Sequence, residues 1–277
     1  MVNRMVAFTI ETLLNFIFAC ELIGLCLTKS TTFWILGTCH ASFLWLVWKI
    51  TPIPQVVREN NLITKWKTTS LQLLVHLVMT VWGYQLLQST PFLTHGQHMF
   101  APGTFNTGIL TMYDTQLAFW VYEGVSLSMT HQRERHRDFS VMLGHHVVTI
   151  ALMMGSAAIQ QYHAGSVVLL IHDLTDITVD VMKLLNYAHW SGLSYWFAAE
   201  IVFVLNFILW VGFRLMYFPS HVIYHGFLQP AVTTKILSLM LTILYGMHIW
   251  WTFLMGRIGA RLCMGQSAQS STSAEYD

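Results

Sequence analysis

The chain has 277 residues, of which 55% are hydrophobic and 10% are charged, and its formal net charge is +1. Soluble domains carry about 25% charged residues, so this composition excludes an ordinary water-soluble globular protein. A net charge so close to zero also argues against a nucleic-acid partner, because such partners bind to strongly basic surfaces.

Apolar runs recur along the whole chain, and each approaches the roughly 20 residues that a helix needs to cross a bilayer. They predict helices at residues 5–27, 33–50, 68–88, 113–130, 140–161, 164–187, 193–215 and 231–255. The second and fourth are short, and the fourth contains Asp114, Gln116 and Glu123, so seven spans with one interfacial or re-entrant segment is the alternative. We therefore expect an all-α, polytopic transmembrane helical bundle of seven or eight helices.

Lys and Arg residues are concentrated in alternate loops, and short cytosolic loops carry the excess. The basic loops follow the second, fourth and eighth predicted spans, and Arg4 precedes the first. The other side keeps only Lys29, Arg214 and Lys235, and the loop 89–112 has neither Lys nor Arg. With eight spans, this distribution predicts that both termini lie in the cytosol.

Proline residues predict where several of the helices end. Pro52 and Pro54 stop the second span, and the stretch 56–67 that follows is predicted to lie on the lipid surface as a cytosolic amphipathic segment. Pro219 and Pro230 predict a further break before the last helix.

Two histidines, His145 and His146, stand side by side in the fifth predicted helix. Adjacent helical residues point about 100° apart, so one of the pair is expected to be central to a site and the other supporting. The pair lies roughly two helical turns after the basic segment 133–137, which places it in the cytosolic half of its span.

The sixth predicted helix carries a polar stripe. His172, Asp176 and Asp180 recur at every fourth residue, Asp173 lies three residues before Asp176, and Lys183 ends the stripe. A carboxylate at mid-membrane costs about 2.5–3.5 kcal/mol on insertion scales, so these groups need partners. The short turn before this helix predicts an antiparallel pair of neighbours, which brings the histidine pair toward the stripe.

Three other interpretations compete with a catalytic one. A purely structural polar network is disfavoured because six ionisable groups lie in two adjacent spans. A metal site is disfavoured because the chain lacks the repeated His-x-x-His-His boxes of membrane di-iron hydroxylases and desaturases. A proton-coupled transporter with Asp and His at mid-membrane stays open on composition alone.

The run HHVVTIALMM, followed by GSVVLLIHDLTDITVDVMKLLNYAHW, resembles the signature of the TLC-domain family and of its ceramide synthases in particular. That signature has a His-His pair and then His-Asp-x-x-Asp-x-x-Leu-Glu-x-x-Lys. RERHRDF, KWKTTSLQLLVHLVMTVWG and LYGMHIWWTFLMGRIG resemble the family's basic lead-in, opening helix and closing helix. Val179 and Asp180 depart from the pattern's Leu-Glu, which keeps a carboxylate but shortens it.

The resemblance covers about residues 65–261, which form the expected TLC domain. Residues 1–64 are expected to be N-terminal membrane anchor helices with a cytosolic linker, and residues 262–277 a disordered cytosolic tail. The resemblance also implies a location in the endoplasmic reticulum membrane. In relatives, the preferred acyl chain length depends on the lumenal loop before the final helix, here about residues 218–235.

The implied activity is that of an acyl-CoA-dependent sphingosine N-acyltransferase in sphingolipid biosynthesis, with fatty acyl-CoA and a sphingoid base such as sphinganine or sphingosine as substrates. Acyl-CoA is a co-substrate, and neither a cofactor nor a metal is expected. A non-catalytic TLC protein that senses or transports lipids is the alternative. A homo- or hetero-oligomer, or a small accessory membrane subunit, stays open.

The resemblance also implies roles for individual residues. His145, with His146 as the alternative, is the expected base or nucleophile. Asp173 and Asp176 are expected to hold His172 or the reactive histidine in the correct tautomer. The expected supporting residues are His172, Asp180 and Lys183, and the residues expected to meet the charged head of acyl-CoA are Arg133, Arg135 and Arg137.

Overall fold

The computed structural model describes residues 46–47, 49–101, 106–128 and 139–264. Every regular element within these residues is a helix. The first predicted span, most of the second, the segment with Arg133, Arg135 and Arg137, and the tail after residue 264 lie outside the described residues.

The helices of the described residues follow the predicted order from the third predicted span to the eighth. They are α1 (Gln55–Glu59), α2 (Ile63–Leu87), α3 (Thr107–Ser128), α4 (Phe139–Ala158), α5 (Tyr162–Tyr187), α6 (Ala198–Phe227) and α7 (Val232–Cys263). Among them, α2, α4, α6 and α7 are long and apolar enough to cross a membrane. The described part of the chain is therefore all-helical, and the protein is a membrane protein with several spans. The predicted total of seven or eight is not confirmed.

Helix α6 differs from its prediction at both ends. The chain passes through left-handed backbone at Trp196 (φ 54°) and Phe197 (φ 53°), so the helix begins at Ala198 rather than residue 193. Pro219 does not end the helix, because it lies inside a π-helical stretch, Val211–Ile223. Proline lacks an N–H and crowds the carbonyl four residues before it, and the wider π-turn relaxes that constraint. Most of the predicted loop 218–235 is therefore helical.

Helix α5 lies at the centre of the described bundle and packs against α2, α3, α4 and α6. Apolar side chains fill two clusters around it. One lies between α2, α3, α4 and α5, and the other joins α5 to α6, α7 and the end of the α2–α3 loop. The central helix thus has few faces toward lipid, which explains how it can carry several polar side chains.

A tight contact joins α3, α4 and α5. Tyr113 is 1% exposed, and its hydroxyl group hydrogen-bonds the hydroxyl group of Ser156. A Cβ atom added at Gly165 would lie 2.5 Å from the Tyr113 hydroxyl oxygen and 2.7 Å from Cε2 of the same ring. The glycine therefore lets α5 approach α3 at this point.

We predict that Gly165→Ala destabilises the protein by about 1–3 kcal/mol, because the added Cβ atom would overlap the buried Tyr113 side chain and force it to shift. Gly246→Ala in α7 is the matched control, since no heavy atom lies within 4 Å of its added Cβ atom. Chemical unfolding in detergent compares the two variants. Equal stability of the two would contradict the proposed close contact.

Candidate active site

The predicted polar stripe on α5 contacts four other helices. One of its ion pairs joins Asp176 to Arg214 of α6, with 2.6 Å between Oδ1 and the guanidinium. Arg214 is 3% exposed, and it also donates to the Thr175 hydroxyl group at 2.7 Å and to the His172 carbonyl oxygen at 3.1 Å. Its guanidinium group lies 4.2 Å from the centre of the Trp210 ring. The Nε and Nη2 atoms of this arginine thus donate to partners inside the bundle.

Counting Arg214 among the basic residues of one membrane side was therefore wrong. The residue lies in the middle of α6 and is buried against α5, so its charge carries no information about membrane orientation. The error follows from the predicted end of the helix at residue 215, which put Arg214 next to a loop.

Asp180 reaches α2, where its Oδ2 atom lies 2.7 Å from Nδ1 of His76. Both residues are buried. The Lys183 ammonium group lies 3.9 Å from the other carboxylate oxygen, so the two residues that end the predicted stripe are neighbours in space. His76 was missed in the sequence because a single histidine in an apolar helix has no local pattern around it.

Asp173 reaches α3, where it accepts a hydrogen bond from the Gln116 amide. It is 1% exposed, and its Oδ1 atom has no hydrogen-bond partner in the described part of the chain. The expectation that Asp173 and Asp176 hold a histidine tautomer is therefore not what the contacts show. Their direct partners are Gln116 and Arg214, and neither carboxylate hydrogen-bonds a described histidine ring.

His172 is oriented by the backbone instead. Its Nδ1 atom lies 2.7 Å from the carbonyl oxygen of Val168, which can only accept, so Nδ1 carries the hydrogen. In the neutral ring, Nε2 is then the acceptor, and it lies 3.2 Å from Nε2 of His248 on α7. His248 is fully buried and was also missed, although it stands in the quoted LYGMHIWW run.

His145 and His146 are both buried, and their ring centres are 5.7 Å apart. The His145 ring packs edge-on between Trp120 of α3, at 5.6 Å, and Trp251 of α7, at 5.3 Å. The His146 ring lies 5.4 Å from the same Trp120, and its Cβ atom faces Gly124. Only His145 of the two lines the cavity described next.

A cavity of about 690 Å³, counting the space at its open side, lies between α3, α4, α5 and α7. His145 and His172 both form part of its wall, so the two predicted helices face one space. From His172 the cavity follows α5 as far as Ala164, a distance of about 12 Å along the helix. Apolar side chains dominate this stretch: Leu152, Val168, Leu169, Leu237, Leu241 and Leu244.

Within the described ranges, no three His, Cys, Asp or Glu side chains are placed to hold one metal ion. The arrangement offers imidazole rings beside an apolar cavity, with the carboxylates engaged by other partners. Chemically, it suits acid–base or nucleophilic work on a substrate with a hydrocarbon chain.

Comparison with known proteins shows that residues 65–257 match the family model described as TLC domain. Ceramide synthase 4 of Bos taurus is 30% identical over 177 residues, which cover 61% of this chain and 41% of the relative. Ceramide synthase hyl-1 of Caenorhabditis elegans is 30% identical over 157 residues, covering 50% and 41% respectively. Ceramide synthase LOH2 of Arabidopsis thaliana is 29% identical over 181 residues, covering 60% and 59%. The chain spans about half the length of these curated relatives.

We predict that Arg214→Met costs about 3–5 kcal/mol of stability, because it leaves the largely enclosed Asp176 carboxylate, with a side chain 19% exposed, without its cation. The double variant Arg214→Met/Asp176→Asn recovers most of that loss, since no unpaired charge remains. Chemical unfolding in detergent measures both.

Arg257→Met is the matched control, because Arg257 is exposed on α7 and its removal should change stability by no more than about 0.5 kcal/mol. An Arg214→Met protein as stable as this control would show that the buried pair does not hold α5 to α6.

Proposed function

The chain belongs to the TLC-domain family, and we propose that it is a ceramide synthase, which transfers a fatty acyl group from acyl-CoA to the amine of a sphingoid base. The observation that carries this proposal is the apolar cavity with His145 and His172 in its wall. Relatives named ceramide synthase in a mammal, a nematode and a plant support the same reaction.

The reaction needs a group that accepts a proton from the attacking amine. In a general-base mechanism, His145 takes this proton while the amine nitrogen bonds to the thioester carbonyl carbon. The carbon–sulfur bond then breaks, and the protonated imidazole returns the proton to the departing CoA thiolate. The products are the amide and free CoA thiol.

A covalent mechanism uses the same residue differently. The His145 ring attacks the thioester, CoA leaves as the thiol, and the resulting acyl-imidazole passes the acyl group to the amine. Both routes need a neutral imidazole at the cavity wall. His145 meets that requirement better than His146, which lies outside the lining of the cavity.

His172 is the second imidazole of the wall, and several contacts fix its position. The Val168 carbonyl sets its tautomer, and Arg214 holds its backbone carbonyl oxygen. Asp176 therefore acts on the site through Arg214, as a positioning residue. Asp173, and Asp180 with its neighbour Lys183, take supporting roles through their contacts with α3 and α2.

The proposal includes an orientation in the endoplasmic reticulum membrane with both termini in the cytosol. Acyl-CoA would then arrive from the cytosol, with its charged head near Arg133, Arg135 and Arg137. These arginines precede α4 in the sequence, and His145 lies about 9 Å along the helix from its first residue. The acyl chain would extend from His145 into the cavity, toward Ala164.

We predict that the purified protein makes ceramide from fatty acyl-CoA and sphinganine, and that His145→Ala lowers the rate by at least about 100-fold, the usual effect of losing a general base. His98→Ala is the control, because His98 is exposed and belongs to the α2–α3 loop. Saturable binding of lipid without turnover by the wild-type protein would contradict the enzyme and favour the sensing or transport alternative.

The cavity also predicts how the preferred acyl chain length changes when a larger side chain fills part of the cavity. Val168 and Ala164 line it at one and two turns from His172, about 6 Å and 12 Å along α5. Val168→Phe should therefore shift the preferred acyl-CoA to shorter chains more strongly than Ala164→Phe. Competition assays with mixed acyl-CoA lengths measure the shift.

Ile201→Phe on α6 serves as the control, because Ile201 is 62% exposed and faces away from the cavity. An unchanged chain-length profile in both cavity variants would mean that the acyl chain binds elsewhere.

A further inference from the structure

Acyl transfer to an amine creates negative charge on the carbonyl oxygen of the acyl group, and this charge needs hydrogen-bond donors aimed at it. The groups assigned above do not supply them. Arg214 donates through Nε and Nη2 to Thr175, Asp176 and the His172 carbonyl oxygen, and it does not line the cavity. His172 donates its Nδ1 hydrogen to the Val168 carbonyl oxygen. The stabiliser of the oxyanion must therefore be sought elsewhere in the cavity wall.

Buried donors without partners identify the candidates. In the described residues, ten buried side-chain nitrogen or oxygen atoms have no hydrogen-bond partner. Three of them belong to residues that line the cavity: Trp120, His145 and Thr149. An orphaned buried donor is costly, so native proteins retain few of them without a reason. Trp120 and Thr149 line the same cavity as His145, and each thus carries a buried donor without a partner in the described residues.

The positions of Trp120 and Thr149 suit the carbonyl of a substrate held at His145. Thr149 lies four residues after His145 on α4, so the two side chains share one face of that helix. Trp120 stands across from them on α3, with its ring centre 5.6 Å from that of His145. Trp120 is 7% exposed and Thr149 is 9% exposed, so water hardly reaches either donor.

We propose that the indole N–H of Trp120 and the hydroxyl group of Thr149 form the oxyanion hole of this site, donating to the acyl carbonyl oxygen as the amine or His145 attacks. This assignment rests on the proposed function. As the new bond to the carbonyl carbon forms, the carbonyl electron pair moves onto the oxygen and is held there by both donors. When the pair returns, the bond to the leaving group breaks, and the two donors are released unchanged.

The chemistry of the two donors fits this role. Neither group titrates near neutral pH, so both present a hydrogen whatever the state of the histidines. They are fixed in a dry, apolar wall, where a donor stabilises developing charge more than in water and needs no reorientation. The indole N–H is a donor and cannot accept a hydrogen bond, so it can bind an oxyanion oxygen in only one way, by donating to it.

The test removes each donor with little change of shape. Trp120→Phe keeps an aromatic ring without the N–H, and Thr149→Val keeps the shape without the hydroxyl group. Each should lower kcat about 100- to 1000-fold, the usual effect of losing one such donor, while KM for acyl-CoA changes less than about threefold. Thr149→Ser should restore most of kcat, because it returns a hydroxyl group.

Two matched controls use the same substitutions away from the cavity. Thr80→Val removes a hydroxyl group that is also buried without a partner but lies on α2, and Trp82→Phe changes a partly buried indole on the same helix. Both should leave kcat within about twofold of wild type.

The outcomes separate this proposal from the function on which it rests. If the wild-type protein makes ceramide and Trp120→Phe and Thr149→Val keep wild-type kcat, the oxyanion assignment is wrong while the function stands. A rise in KM at constant kcat, or a failure of Thr149→Ser to recover activity, would also overturn it, because both indicate packing alone. If the wild-type protein makes no ceramide, the function itself fails.

Discussion

Ionisable side chains inside an apolar helical bundle must find partners within the protein, because hydrocarbon offers none. Among the described residues, four such side chains lie on one helix, α5. Its His172, Asp173, Asp176 and Asp180 reach His248, Gln116, Arg214 and His76, which stand on α7, α3, α6 and α2. Each partner fixes the register of a different helix against the central one. The arrangement of the bundle thus follows from satisfying four polar groups at once.

The same contacts also shape the candidate site. His172 belongs both to the polar network and to the cavity wall, so the pairs that join helices also position a ring beside the cavity. Arg214 illustrates the link, since it neutralises Asp176 and holds the His172 carbonyl oxygen. On α4, by contrast, His145 and Thr149 leave polar atoms without partners where the cavity begins. Buried polar atoms without partners therefore occur in the network around the stripe, at Asp173 and His248, and also where a reacting carbonyl is proposed to bind.

The sequence predicts the polar stripe on α5 correctly, but it does not predict which residues on other helices bind to that stripe. The four-residue spacing of His172, Asp176 and Asp180 indicates a shared face and a need for partners. It does not indicate which helix faces that stripe, and Asp180 pairs with His76, 104 residues away. An arginine inside an apolar run can indicate that a buried carboxylate lies nearby. Because the helix is predicted to end at residue 215, Arg214 is instead assigned to a position next to a loop. A proline usually ends a helix, but Pro219 lies within a π-helical stretch and the helix continues through it.

The family resemblance is the basis for proposing acyl transfer as the reaction. The described residues contain a cavity, lined by His145 and His172, in which this reaction is proposed to occur. The most direct measurement is an experimental structure of the full protein in lipid, bound to a non-reactive acyl-CoA analogue with a ketone in place of the thioester. The account predicts the ketone carbon beside His145, its oxygen within hydrogen-bond distance of Trp120 and Thr149, and the chain extending toward Ala164. An analogue bound with its carbonyl remote from His145, or with its chain outside this cavity, would contradict the account.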